Sequence, residues 1–91
     1  MIEIAKFDAA EYLENDEDCA AYLEAALEDG DPEFFIRALG TVARARGMTQ
    51  IARDANLGRE SLYKAFNGDP KFGTVAKVLK ALGLRLSVAA Q

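Results

Sequence analysis

An all-α fold is predicted, with five to six helices and one short strand at the C-terminus. Three observations predict it. Apolar residues recur at helical spacing, most clearly Val75, Val78, Leu79 and Leu82 at i, i+3, i+4 and i+7. Helix-start and helix-stop residues punctuate those runs: Asp31-Pro32-Glu33 at a start, and Gly30, Gly47 and Gly83 at stops. Strict alternation is confined to Leu84-Arg85-Leu86-Ser87-Val88 and, briefly, to Ile2-Glu3-Ile4.

In chain order, Asp8 can cap a short helical piece running to Leu13, with Glu11 at capping-box spacing. Asn15 or Asp16 caps the next helix. Its first turn carries Asp16, Glu17 and Asp18, where the helix dipole favours acids. Cys19, Leu23, Ala26 and Leu27 form its buried stripe, with Tyr12 and Leu13 packing nearby and Tyr22 flanking. A third helix starts at Asp31-Pro32, with proline at its first position, and runs to Arg46. Phe35, Leu39 and Val42 form its stripe, with Phe34 and Ala38 beside it. Gly40 lowers that helix's propensity by about 1 kcal/mol relative to alanine, so a close helix contact is expected there.

From Met48 to Gly68 the pattern is a helix-turn-helix. Thr49 is the expected N-cap of the first helix, and Ile51, Ala52 and Ala55 give it an apolar face. Asn56 stands where the chain reverses, and asparagine tolerates the left-handed backbone that a reversal needs. Leu57 is expected to enter the core. A second helix begins at Gly58 or Arg59, with Leu62 and Phe66 facing inward four residues apart. Asn67-Gly68 supplies residues that accept positive φ at its end. Arg59, Glu60, Tyr63, Lys64 and Asn67 make one polar face, as in a helix placed in the DNA major groove. Arg59 can form a bidentate pair with guanine, and Glu60 can accept from cytosine or orient Arg59. Ser61, Tyr63, Lys64 and Asn67 suit phosphates or base edges. An ordinary helical hairpin with a solvated polar face has the same pattern. After the turn Asp69-Pro70-Lys71, the last helix opens at Phe72 or Gly73 and ends at Gly83. The strand at 84–88 must pair with Ile2–Ala5, with a second copy of the chain, or with another protein.

The net charge of −4 hides two unlike halves. Residues 1–33 carry twelve acids and one lysine, a net of −11, and residues 34–91 carry ten bases and three acids, a net of +7. A basic domain behind an acidic arm suits phosphate at one surface and a different partner at the other. With one cysteine and no histidine, an internal disulfide, a cysteine-rich zinc site and histidine-based catalysis are excluded. Cys19, on an apolar stripe, reads as a buried thiol. No enzyme activity, metal or cofactor is expected. No apolar run approaches the roughly 18 residues of a membrane span, and MIEIAKFD has no signal-peptide pattern, so no membrane partner and a cytoplasmic location are expected.

Helices at about 31–46, 49–55, 59–67 and 73–83 resemble the core of the Xre/Cro-like regulators, five-helix domains close to λ repressor. The whole chain resembles more closely the addiction-module antidote proteins of the HigA type. The resembling segments are FDAAEYLENDEDCAAYLEAALEDGD, FFIRALGTVARARGMTQIARDANLGRESLYKAF and LKALGLRLSV, from Phe7 to Val88. The resemblance implies an antitoxin that binds and neutralises a small basic toxin of the RelE/ParE fold. It also implies a homodimer that binds double-stranded operator DNA and represses its own operon. Its DNA-binding set is Thr49, Gln50, Arg59, Glu60, Ser61, Tyr63, Lys64 and Asn67, with Gln50 at a backbone-contact position. One departure is local: many Xre-type domains have two more residues between Thr-Gln and Ile-Ala, which adjoin here, so the start of that helix is shorter.

The chain then divides into an acidic helical arm packed on the core (1–30), a helix-turn-helix domain (31–83) and a terminal strand or tail (84–91). Packing does not account for the acids outside the arm's apolar stripe. Glu17, Glu24 and Glu28 are therefore candidates for toxin contact, because an oppositely charged surface speeds association with a basic partner. The competing readings are a protein-binding adaptor or antidote without DNA binding, and an arm whose acids only cap helices and maintain solubility.

Overall fold

The computed structural model describes residues 9–91. A 3-10 turn at Ala9–Tyr12 precedes five α-helices: α1 Asp16–Asp29, α2 Pro32–Arg46, α3 Met48–Asp54, α4 Arg59–Phe66 and α5 Phe72–Ala81. Local chemistry sets most of the boundaries. Asn15 caps α1 by accepting from the Asp18 N–H at 2.8 Å, and Gly30, at φ 84°, closes it. Asp31 caps α2 by accepting from the Glu33 N–H at 3.0 Å, and Pro32 follows at the first helical position. Gly47, at φ 107°, separates α2 from α3 with no residue to spare.

Helix α2 is the centre of the domain. It packs against the 3-10 turn, α1, α3 and α4, and α3 packs in turn on α5. Leu39, Val42 and Ala43 are buried on it, together with Leu62 from α4 and Val78 and Leu79 from α5. Cys19, Leu23 and Ala26 bring α1 into the same core. At Gly40, α2 meets α4 closely. A Cβ there would lie 3.1 Å from both Cβ and Cγ of Phe66. The expected close helix contact at Gly40 is therefore present, and it accounts for a glycine in mid-helix.

Several local expectations are corrected. Among the described residues there is no strand: Leu84–Val88 runs on from α5 without regular pairing. Alternation marks a segment able to pair, but a strand also requires a partner. The proposed partner Ile2–Ala5 lies outside the described residues, as does the Asp8 cap. Thr49 is not a cap, because α3 begins one residue earlier at Met48, behind Gly47, with no side-chain capping bond. Met48 is buried, and this burial draws the start of the helix back. Leu57 is only partly buried against the core. Tyr12, at the end of the 3-10 turn, is exposed, and so is Leu27, since α1 turns a narrower stripe inward than its apolar residues allow. Asn67 ends α4 at φ −106°, so the left-handed stop foreseen at Asn67-Gly68 is not used.

Leu62 is fully buried at the junction of α4 with the core. Leu62→Ala should lower stability by about 2–5 kcal/mol, read as an earlier urea midpoint with an unchanged denaturant slope.

Candidate functional site

The pair α3–α4 is joined by Ala55-Asn56-Leu57-Gly58. Asn56 adopts φ 57°, the only non-glycine residue at positive φ among those described. Three backbone bonds fix the turn: Ala55 N–H donates to the Ile51 carbonyl at 2.9 Å, Asn56 N–H to the Arg53 carbonyl at 3.1 Å, and Leu57 N–H to the Ala52 carbonyl at 2.8 Å. Leu62 and Phe66 bury the inner face of α4. Its outer face is consequently directed to solvent, and Arg59, Glu60, Ser61, Tyr63, Lys64 and Asn67 are all exposed.

These residues are already arranged among themselves. Arg59 Nη2 donates to Tyr63 Oη at 2.9 Å. The guanidinium also lies over the Tyr63 ring, 5.5 Å from its centroid. One donor of the guanidinium fork is used in that bond, and its other N–H donors make no side-chain hydrogen bond among the described residues. Lys64 Nζ stands 3.9 Å from Glu60 Oε1, with both side chains largely in solvent. Such a pair is worth little, so Lys64 can exchange Glu60 for a phosphate at small cost. Glu60 thus faces Lys64, while the partner that orients Arg59 is Tyr63. Asn67 Nδ2 donates to the Tyr63 carbonyl at 3.0 Å. At the start of α3, Thr49 and Gln50 are exposed, and Gln50 Nε2 donates to Asp54 Oδ1 at 2.8 Å.

Sequence reasoning did not single out Arg37 and Thr41 on the neighbouring surface of α2. A groove of about 450 Å³ runs between α2 and α4, with Arg37, Thr41 and Arg44 on one side and Tyr63 and Asn67 on the other. Thr41 Oγ1 donates to the Arg37 carbonyl at 3.2 Å and accepts from Arg44 Nη2 at 3.5 Å. The signal was in the sequence: positions 37, 41 and 44 are four and three apart, hence on one helical face. The groove extends the polar face of α4 with two further cations.

The arm's acids lie elsewhere. Glu17, Glu24 and Glu28 are exposed, and spacings of seven and four place them along one line of α1. Asp16 is engaged differently: it accepts from Arg46 Nη2 at 2.6 Å, tying α1 to the end of α2. Beside this pair, burial pushes the Cys19 thiol up from its ordinary pKa, with Arg46 opposing the shift. A buried neutral thiol is a core group and a poor nucleophile. No group of residues suited to holding a metal occurs among the described residues. No helix among them is long and apolar enough to cross a membrane.

The fold and this surface define a small helical domain presenting a helix-turn-helix-like pair. Comparison with known proteins gives the family. The model of a family described as "Probable addiction module antidote protein" matches residues 3–90. A Haemophilus influenzae protein, described as uncharacterized, is 48% identical over 88 residues, covering 94% of this chain and 91% of that one. No solved structure matches. The chain belongs to the addiction module antidote family, an antitoxin family, and membership implies a cognate toxin as partner.

The Asn56 turn sets the angle between α3 and α4. Asn56→Gly should leave stability nearly unchanged, because glycine takes positive φ freely. Asn56→Val should cost about 1–2 kcal/mol, because a β-branched side chain crowds the left-handed backbone and lacks the local hydrogen bonding by which asparagine tolerates it. Parallel thermal unfolding of the two variants checks the difference.

Proposed function

We propose that the chain is a HigA-type antitoxin of a type II toxin–antitoxin module, with an Xre/Cro-like, λ repressor-like helix-turn-helix. It neutralises a RelE/ParE-like toxin by direct binding. It represses its own operon as a sequence-specific dimer on double-stranded operator DNA, in the cytoplasm, without catalysis of its own. The observation that carries this reading is the outer face of α4: six exposed polar residues, Arg59 among them, on a helix whose other face is sealed into the core. The division of labour follows the proposed boundaries. Residues 31–83 bind DNA, residues 1–30 form the acidic arm that meets the toxin, and residues 84–91 form a tail.

The roles follow from chemistry. Arg59 reads a guanine with its remaining donors, and Glu60, next to it, meets a cytosine or keeps Lys64 in place. Lys64, Ser61, Tyr63 and Asn67 meet phosphates or base edges. Thr49 and Gln50 lie at the start of α3, where a first helix crosses the backbone, and Gln50, with one amide N–H on Asp54, keeps a second for its contact. Dimerisation supplies two recognition helices, since one reads only a few base pairs.

A second reading, a protein-binding antidote without DNA binding, has one observation in its favour. The cations of α4 have partners within that helix, Arg59 with Tyr63 and Lys64 with Glu60. A band-shift with the DNA upstream of the chain's own reading frame separates the two readings. Arg59→Ala should weaken operator binding by about 1–3 kcal/mol and relax specificity at one base pair. Lys64→Ala should weaken all sequences more evenly and flatten the salt dependence. Unchanged affinity in both variants would favour the adaptor reading.

The arm has its own test. Its charge repels DNA and attracts a basic toxin. Replacing Glu17, Glu24 and Glu28 together with glutamine should slow toxin association and reduce its dependence on salt, while operator binding persists or tightens. Stopped-flow association at two ionic strengths measures this. Unchanged rates and salt dependence would leave the arm structural.

A further inference from the structure

In a chain of net charge −4, the groove between α2 and α4 is lined by no carboxylate among the described residues. Its rim carries Arg37 and Arg44 from α2, and Tyr63 and Asn67 from α4. Its floor is apolar, with Gly40, Met48 and Phe66 all buried. The rim is rich in donors. Arg37 stands 4.0 Å from Glu33 in a largely exposed pair, which is worth little. Arg44 is exposed, and its Nη2 donates to Thr41 Oγ1 at 3.5 Å, while that hydroxyl is anchored on the Arg37 carbonyl. Tyr63 Oη accepts from Arg59 and keeps its own proton to donate. Asn67 has one amide N–H on the Tyr63 carbonyl and a second besides. A neighbouring cavity, at the C-terminal end of α4, has the opposite character: Asp31, Glu33 and Asp69 line it.

We propose that this groove takes the sugar–phosphate backbone of one operator strand, with Arg37 and Arg44 each on a phosphate and Thr41 positioning Arg44. The inference rests on the DNA-binding reading above and adds to it contacts from a helix outside the helix-turn-helix. Size selects this occupant. A helix with its side chains is about 10–12 Å across and the major groove about 12 Å wide, so a helix seated there has a strand close on either flank. Helix α2 lies beside α4, so its side chains meet that strand rather than base edges. Met48 lines the groove and adjoins Thr49 and Gln50, the residues assigned to the backbone at the start of α3. One strand then passes from α3 to Arg44 and on to Arg37. These arginines are seven residues apart, about 10 Å along the axis, so each serves a different phosphate. The apolar floor suits the uncharged deoxyribose between them. An acidic protein surface would meet the same arginines. Tyr63 and Asn67, however, belong to the groove and to the polar face of α4 at once, and a DNA strand beside its own base edges engages both together. Such contacts fix register and orientation and leave sequence reading to Arg59.

The test uses the full chain and the DNA upstream of its own reading frame, bound over a series of salt concentrations. Arg37 and Arg44 are exposed, and glutamine has similar helix propensity, so Arg37→Gln and Arg44→Gln should keep a helical circular dichroism spectrum. Each should weaken operator and unrelated DNA by the same factor, roughly three- to tenfold, and lower the slope of log affinity against log salt by about one. Thr41→Val should weaken binding less, and should add nothing in the Arg44→Gln background, because it acts through Arg44. Lys77→Gln, exposed on α5, should change affinity little. An equal loss from Lys77→Gln would assign the effect to net charge and overturn the groove.

Contact is located from the DNA side, with operator duplexes that each carry one uncharged methylphosphonate. One position should weaken the unaltered protein and have no further effect on Arg44→Gln, and another should behave in the same way towards Arg37→Gln. The absence of any such position overturns direct contact. No operator binding by the unaltered protein overturns the DNA-binding reading, and this inference with it. Operator binding that weakens in Arg59→Ala, but keeps its affinity and salt slope in either Arg37→Gln or Arg44→Gln, overturns the two-phosphate groove and leaves that reading standing. Variants that hold operator normally and lose toxin instead would assign the groove to a protein partner and overturn the proposal.

Discussion

The close approach of α2 and α4 at Gly40 governs how this domain presents the polar outer face of α4. A glycine in the middle of a 15-residue helix costs about 1 kcal/mol of propensity relative to alanine. That cost is offset because Phe66 fills the space where a Cβ would stand. Phe66 and Leu62, on the same face of α4, are then held in the core. With the inner face fixed this closely, the outer face has one orientation. The position of Arg59, Tyr63, Lys64 and Asn67 in space follows from an apolar contact on the other side of the helix.

The turn before α4 supplies the second constraint. Helix α3 ends at Asp54 and α4 starts at Arg59, so four residues reverse the chain. Asn56 accomplishes this by entering the left-handed region, which asparagine does at less cost than most residues. The Leu57 N–H is bonded back to Ala52, so the turn is closed by backbone as well as by conformation. Leu57 remains partly exposed, consistent with a turn stabilised mainly by hydrogen bonds.

Charge is partitioned in space as well as in sequence. Among the described residues, Asp16 of α1 bridges directly to Arg46 at the end of α2, while Glu17, Glu24 and Glu28 of α1 and the cations of α4 are exposed. That pair is partly exposed and contributes modestly to stability. Its structural effect is to fix the start of α1 against the end of α2, next to the buried Cys19. On α4, the Arg59–Tyr63 contact limits the rotamers of a long side chain before any ligand arrives. Pre-positioning of this kind lowers the ordering cost of binding. On α3, Gln50 is likewise held, with one of its two amide N–H donors on Asp54.

What the sequence determined is local. Asn15, Asp31-Pro32 and Gly47 mark helix ends because capping and backbone permissiveness act within a few residues. The core positions Leu39, Val42, Ile51, Leu62, Phe66, Val75, Val78, Leu79 and Leu82 were legible from periodicity, since a helix buries a fixed stripe. The polar face of α4 was legible for the same reason. What only the tertiary structure decided depends on partners distant in the chain. Burial of Met48 moved the start of α3 away from Thr49. The width of the α1 interface left Leu27 in water. The groove that adds Arg37, Thr41 and Arg44 to the face of α4 exists because α2 and α4 lie side by side. At 84–88 the alternation was real but no strand formed within the described chain, because hydrogen-bonded pairing belongs to two segments and a sequence pattern describes only one.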